Sequence, residues 1–259
     1  MTIKLNFYTK PQKEAVMKVY EKVIPSIERR LNNLTAMSKK WAEGAEKKSR
    51  PTITLSRRYG CEAYPLAETL AEMLQKATGE IWNIYDKALL EKVSMDESLS
   101  MEILKNLEMH SKFNDYLASL SLAHKPYPVV FQTVMKHMLQ VAVMGNAIIV
   151  GRGGVIITQK LTNCYHFRLE ADFKFRAASI ARRMEITEEE AKKMVKENQD
   201  LREHFIREYL GVEDSHIWLY DAMYNNARHT QADMARSIIA YVASGWEDKS
   251  YFKLSALGV

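Results

Sequence analysis

The 259 residues carry 37 Lys/Arg against 32 Asp/Glu, a formal net charge of +5, with 47% hydrophobic and 27% charged residues. That is the balance of an ordinary globular chain able to bury a sizeable core. No apolar run approaches the ~20 residues that span a bilayer, and residues 1–18 lack the uninterrupted apolar stretch of a secretory signal.

Two cysteines, Cys61 and Cys164, show no pairwise metal spacing, so a reduced, cytoplasmic setting is the expectation. The positive charge is uneven. Residues 1–50 hold 12 Lys/Arg against 5 Asp/Glu, leaving 25 against 27 in the rest. A basic segment can face nucleic acid, a membrane surface or simply solvent. No aromatic-interleaved basic stripe or recognition-helix pattern supports the nucleic-acid reading, and a solvated basic helix face is the default.

In chain order, Val16, Met17, Tyr20 and Val23 recur at helical spacing. Pro25 can open a second helix, with Ile27, Leu31, Leu34 and Met37 on one face. Residues 1–50 therefore read as a helical extension, with Arg50-Pro51 as its boundary. Residues 52–55 (Thr-Ile-Thr-Leu) form a β-favouring run, and a turn-rich stretch leads to Pro65, where an amphipathic helix carries Leu66, Leu70, Met73 and Leu74. Gly79 closes that helix, and Ile81 to Tyr85 reads as a second strand.

Helical patterning follows from Asp86 to Leu122 and from Val129 to Met144. The continuous apolar run Ala147-Ile148-Ile149-Val150 suits a strand buried on both faces of a parallel sheet. Tyr165 to Leu169 is a further strand, and Asp172 to Arg183 a helix. Thr187 followed by Glu188-Glu189-Glu190 has the form of a helix N-terminus. Leu219 to Tyr224 and Gln231 to Ala243 read as the last strand and last helix. Strands alternating with helices imply crossovers and a mainly parallel sheet.

In such sheets ligands bind at the carboxyl ends of the strands. Two loops stand there: Ser56 to Pro65, between a strand and a helix, and Gly151-Arg152-Gly153-Gly154, after the most apolar strand. Cys61 lies in the first loop, where a helix N-terminus can lower a thiol pKa, but Glu62 beside it acts the other way and an inert thiol is the simpler reading. The histidines show no zinc-ligand spacing, no nucleophile-elbow motif is present, and the 14 methionines read as core filler.

Several short motifs occur in a fixed order: Ser56-Arg57 with Gly60; Tyr85-Asp86-Lys87; Ile149-Val150-Gly151-Arg152-Gly153; Arg176 and Arg183 ahead of Thr187-Glu188-Glu189-Glu190-Ala191; Asp200-x-Arg202; and Tyr220-Asp221 to Asn225-Asn226. Together, over roughly residues 51–245, they resemble the cytidylate-kinase-like branch of the nucleoside monophosphate kinases. The resemblance implies an α/β, three-layer P-loop kinase fold over residues 51–259, with a lid near 183–211 and the N-terminal helical extension added in front. It implies ATP-dependent phosphorylation of a nucleoside monophosphate or similar small acceptor, with ATP and Mg as cofactors.

By the same resemblance, Ser56, Arg57, Arg58, Gly60, Cys61, Glu62, Ala63 and Tyr64 would line the donor phosphates. Arg152 would hold the acceptor's phosphate, Asp86 would be an acceptor-site carboxylate or merely a helix cap, and Arg183 and Arg202 would be lid arginines on the transferring group. Arg228 would face the base.

The phosphate loop departs from the family. Where a Gly-Ser-Gly-Gly-Arg-like stretch is usual, this chain reads Gly60-Cys61-Glu62-Ala63-Tyr64. Two glycines are missing, a carboxylate is added, no Lys is present, and Pro65 removes an N–H donor. Three readings stay open: a loop that has lost ATP, an active enzyme charged through Arg57 or Arg58, and a loop outside any such fold. A non-catalytic regulatory or binding protein that keeps the fold is the alternative function, with the N-terminal helices engaging a partner or forming a homo-oligomer.

Overall fold

A computed structural model of the chain describes residues 30–36, 49–95, 129–151, 153–213 and 215–257. Its elements, in order, are α1 (30–36), β1 (Thr52–Arg57), α2 (Ala63–Thr78), β2 (Asn83–Tyr85), α3 (Lys87–Met95), α4 (Val129–Met144) and β3 (Ala147–Val150). They continue with α5 (Gly154–Thr158), β4 (Cys164–Glu170), α6 (Phe173–Met184), α7 (Glu188–Leu210), β5 (Ala222–Asn225) and α8 (Gln231–Gly245).

The five strands form one sheet in the order β2-β3-β1-β4-β5, and every pairing is parallel. The chain starts on the central strand, builds β2 and β3 to one side, then crosses back to lay down β4 and β5 on the other. That reversal beside β1 opens a crevice at the strands' carboxyl ends. The three-layer α/β architecture agrees with the kinase-like fold that the motifs implied.

Period-two alternation assigns the two faces. Ile53, Leu55, Ile148, Val150, Phe167 and Leu169 pack with α2 and α8 on one face. Ala147 and Ile149 pack with Leu89, Leu90, Val134 and Met138 on the other. β3 is thus buried on both sides, as its apolar run predicted. The β1–β4 pair differs. In register Thr54 faces His166 and Ser56 faces Arg168, so this part of the sheet carries a buried polar strip.

Within that strip Thr54 Oγ1 lies 2.8 Å from His166 Nδ1. Burial pushes the imidazole below its ordinary pKa of 6.5, only partly offset by Asp221. Because the folded value is the lower one, the unfolded chain takes up the proton first as pH falls below about 6.5. Stability present at neutral pH is then lost progressively as pH falls through and below that ordinary value. Melting curves at pH 7, 6 and 5 should show a smaller acid loss for His166→Gln than for the natural chain, and an equal loss would rule out this imidazole as the source.

The predicted boundaries hold with local shifts. α2 begins two residues before Pro65. β5 begins at Ala222, because residues 217–219 form a single 3-10 turn instead of a strand. Thr187 and Glu190 form a reciprocal capping box, and Gly79 ends α2 in the left-handed conformation with φ +71°.

Arg50, at the expected boundary, forms a two-pronged ion pair with Glu80, at 2.6 and 3.0 Å, and lies over the Tyr251 ring. The linker is therefore stitched to the C-terminal tail. The helical pair expected over residues 1–50 lies mostly outside the described residues. Within it, α1 buries Leu34 fully and Leu31 partly against the α3–α4 face. The helical pattern expected over 96–122 also lies outside the described residues.

Candidate active site

The loop from Arg58 to Glu62 joins β1, the central strand, to the amino end of α2. Gly60 adopts φ +99°, and a Cβ there would stand 2.6 Å from the Arg176 Cβ and 2.8 Å from the Arg176 carbonyl oxygen. Only glycine fits both the conformation and the space.

Four of the loop's backbone N–H groups already have acceptors within the protein. Arg58 donates to the Leu169 carbonyl at 3.1 Å, Cys61 to the Arg58 carbonyl at 3.1 Å, Tyr59 to Gln199 Oε1 at 2.8 Å, and Glu62 to Asn226 Oδ1 at 2.7 Å.

Glu62 is the residue preceding α2, and its side chain is turned away from capping that helix. Its carboxylate instead accepts from Ser179 Oγ at 2.8 Å, from Gln231 Nε2 at 3.0 Å and from Arg182. Three donors from α6 and α8 thus converge on an anion that the loop itself supplies.

Three arginines of α6 and α7 approach the loop from its carbonyl side. Arg202 Nη1 donates to the Arg57 carbonyl at 2.6 Å, Arg176 Nη1 to the Tyr59 carbonyl at 3.1 Å, and Arg183 Nη2 to the Gly60 carbonyl at 3.1 Å. The Tyr59 side chain packs into the small apolar cluster of the α6–α7 hairpin, built on Ile180, Ala191 and Val195. Loop and hairpin therefore form one packed unit.

Arg57 and Arg58 diverge. The Arg57 guanidinium crosses towards β3, where a Cβ on Gly151 would stand 1.8 Å from its Nη1. Gly151 has φ +75°, so conformation and the neighbouring arginine both call for glycine there. Arg58 pairs with Glu170 at 3.0 Å. Glu170 also holds Arg168 Nε at 2.6 Å.

Arg168 is only 1% exposed. It lies over the Tyr220 ring and donates to the Tyr220 hydroxyl at 3.0 Å and more weakly to Ser56 Oγ at 3.4 Å. Ser56 is thereby part of a buried polar network. Ala63 and Tyr64 begin α2, with Ala63 buried and Tyr64 partly buried against the α2–α8 core. Burial, reinforced by the Glu170 carboxylate, pushes the Cys61 thiol up to about 11. It is therefore no thiolate near neutral pH.

On the other side of β1, Asp86 caps α3 by accepting the Leu89 N–H at 2.9 Å. It also lies 3.1 Å from Arg30 of α1, both side chains being less than a tenth exposed. The basic N-terminal segment thus sends at least this charge inward instead of into solvent. Arg152 falls outside the described residues. Arg228 is exposed, in the turn after β5.

Sequence reasoning did not single out Arg168, Ser179, Gln199 or Gln231. Arg168 left a trace, as an arginine two residues after His166 in a β-favouring run, but the serine opposite it belongs to another strand. Among the described residues no group of His, Cys, Asp and Glu is arranged to hold a metal ion, and no helix is long and apolar enough to cross a membrane.

Comparison with known proteins gives a consistent picture. No curated protein matches the chain. A solved structure described as an uncharacterized protein from Eubacterium ventriosum ATCC 27560 superposes with a TM-score of 0.61 at 19% identity, covering 75% of this chain and 99% of that one. At that identity the likeness concerns the fold. The model of the cytidylate kinase-like family matches residues 52–228, which span the sheet from β1 to the turn after β5. The chain therefore belongs to the cytidylate kinase-like family.

Proposed function

We propose that this member keeps the architecture of a nucleotide phosphotransferase but takes no ATP in the loop after β1. It acts as a non-catalytic binding or regulatory protein for a nucleotide or other small phosphorylated ligand. The observation that carries the reading is the Glu62 carboxylate, held by Ser179, Gln231 and Arg182 beside the amino end of α2.

A phosphate-binding loop works by turning unpaired backbone N–H groups and a cation towards the anion. In this chain four of those N–H groups are hydrogen-bonded internally, and no lysine occurs between Ser56 and Pro65. A carboxylate ~4 Å from a phosphate oxygen repels it by about 4 kcal/mol per unit charge at an effective dielectric near 20. ATP and Mg therefore do not fit the residues present in this loop.

A second reading has its own observation. The Arg57 guanidinium lies against Gly151, beside the turn after β3, and in this reading it would hold a phosphate in place of the loop amides. The protein would then be a divergent active transferase.

Calorimetry with ATP–Mg and with CMP separates the two. The natural chain is expected to give no heat with millimolar ATP–Mg, while the Glu62→Gly/Ala63→Gly variant gains measurable affinity. ATP consumption by the natural chain in the presence of any nucleoside monophosphate would end the non-catalytic reading.

A further inference from the structure

We infer that α1 is an intramolecular latch over the β2–β3 end of the crevice, with Arg30 occupying the position at Asp86 that a ligand's polar groups would take. The inference rests on the reading above, that the chain binds a nucleotide or small phosphorylated ligand, taken here at the β2–β3 edge where the resemblance puts the acceptor.

Asp86 follows directly on β2, whose Tyr85 is in register with Ile149 of β3. The next turn after β3 is the one carrying Gly151 and the Arg57 guanidinium. Asp86 thus stands at the carboxyl end of the sheet, and its side chain, 3.1 Å from Arg30, is only 8% exposed. Arg30 comes from outside the family-matched region, residues 52–228. The cover is an addition to the shared fold.

The pair is close but incompletely satisfied. Arg30 Nη1 and Asp86 Oδ1 approach to 3.1 Å, yet Arg30 Nε and Nη1 and Asp86 Oδ2 are buried without a well-aligned hydrogen-bond partner. The opposing Oδ1 is already shared with the Leu89 N–H. A buried ion pair recovers its desolvation only when its remaining hydrogen-bonding capacity is filled.

This contact therefore closes the site without the stability of a finished one. Apolar anchoring of α1 comes from Leu34, with Leu31 partly buried beside it. An ion pair left with unfilled hydrogen-bonding capacity holds a segment less firmly than the core is held. An amino or hydroxyl group of a nucleoside monophosphate would offer Oδ2 the donor it lacks and release Arg30 to solvent.

The test uses the full chain and CMP as probe, with Arg30→Met to remove the charge and Leu34→Ala to loosen the helix while leaving the ion pair intact. If α1 is a latch, both variants bind CMP at least ~10-fold more tightly than the natural chain, because a larger fraction is open. The gain should disappear on adding Asp86→Asn. In the natural chain, hydrogen exchange across 30–36 should quicken when CMP is added.

Equal CMP affinity in all three proteins, with unchanged exchange, overturns the latch and leaves the binding reading standing. A gain in Arg30→Met alone overturns it too, since charge and not closure would then be responsible. Failure of every folded variant to bind CMP or any nucleoside monophosphate in a panel removes the latch together with the binding reading beneath it. Circular dichroism of each variant confirms that the fold is intact.

Discussion

Replacing Glu170 by alanine is expected to lower stability by about 3 kcal/mol. Glu170 is a carboxylate shared by Arg168, at 2.6 Å, and Arg58, at 3.0 Å. Arg168 is 1% exposed in the middle of the sheet, where it also donates to the Tyr220 hydroxyl and Ser56 Oγ. Taking a carboxylate away from a buried guanidinium weakens the compensation of its charge, and breaking a buried pair costs roughly 3–5 kcal/mol.

Glu170 itself is about one-third exposed at its side chain, so solvent relieves part of that and the low end applies. In a chain of this size about 3 kcal/mol corresponds to roughly 6–12 °C in melting temperature. Pairing the change with Arg168→Met should recover most of the loss, since an apolar side chain of similar length needs no counter-charge. A Glu170→Ala protein that melts within about 2 °C of the natural chain would show that Arg168 is neutralised elsewhere.

Gly60→Ala should be nearly as damaging, for a reason confined to the loop. Its φ of +99° is unfavourable for any residue with a Cβ, and the added carbon would meet the Arg176 backbone and Cβ at 2.6 to 3.0 Å. Neither obstacle is the free end of a flexible side chain, so the loop must move away from α6.

Moving it disturbs the hydrogen bonds from Arg183 to the Gly60 carbonyl and from Arg176 to the Tyr59 carbonyl. Conformational strain and crowding together amount to about 3 kcal/mol. Gly79→Ala is the natural control. Gly79 shares the positive φ, +71°, but nothing lies within 4 Å of its would-be Cβ. Its loss should be limited to about 1 kcal/mol. Chemical denaturation of both variants reads the difference, and comparable losses would mean that backbone conformation, and not the contact with α6, governs Gly60.

The same contacts bear on what Arg183 and Arg202 do. The family resemblance assigned Arg183 and Arg202 to a transferring phosphoryl group. In the structure their guanidinium groups hold the Gly60 and Arg57 carbonyls. A guanidinium has five N–H donors, so holding a carbonyl does not preclude a ligand contact. It does show that these arginines have a structural task wherever the hairpin is closed on the loop.

Much about this protein follows from local sequence. The apolar run at 147–150, the left-handed glycine after α2 and the Thr187–Glu190 capping box depend on residues within a few positions of one another. Periodicity and cap chemistry find them without a partner. The alternation of strands and helices likewise implied a parallel sheet, and the ordered short motifs named the family.

The occupant of the loop after β1 depended on tertiary structure. Glu62 read as a carboxylate that would repel a triphosphate; its partners Ser179, Arg182 and Gln231 are more than 100 residues away, on helices brought together only by the crossover from β4 and the return through β5. Arg168 opposite Ser56 and Arg30 beside Asp86 are of the same kind. Which charge neutralises which is set by strand register and helix docking, and neither is written in the spacing of nearby residues.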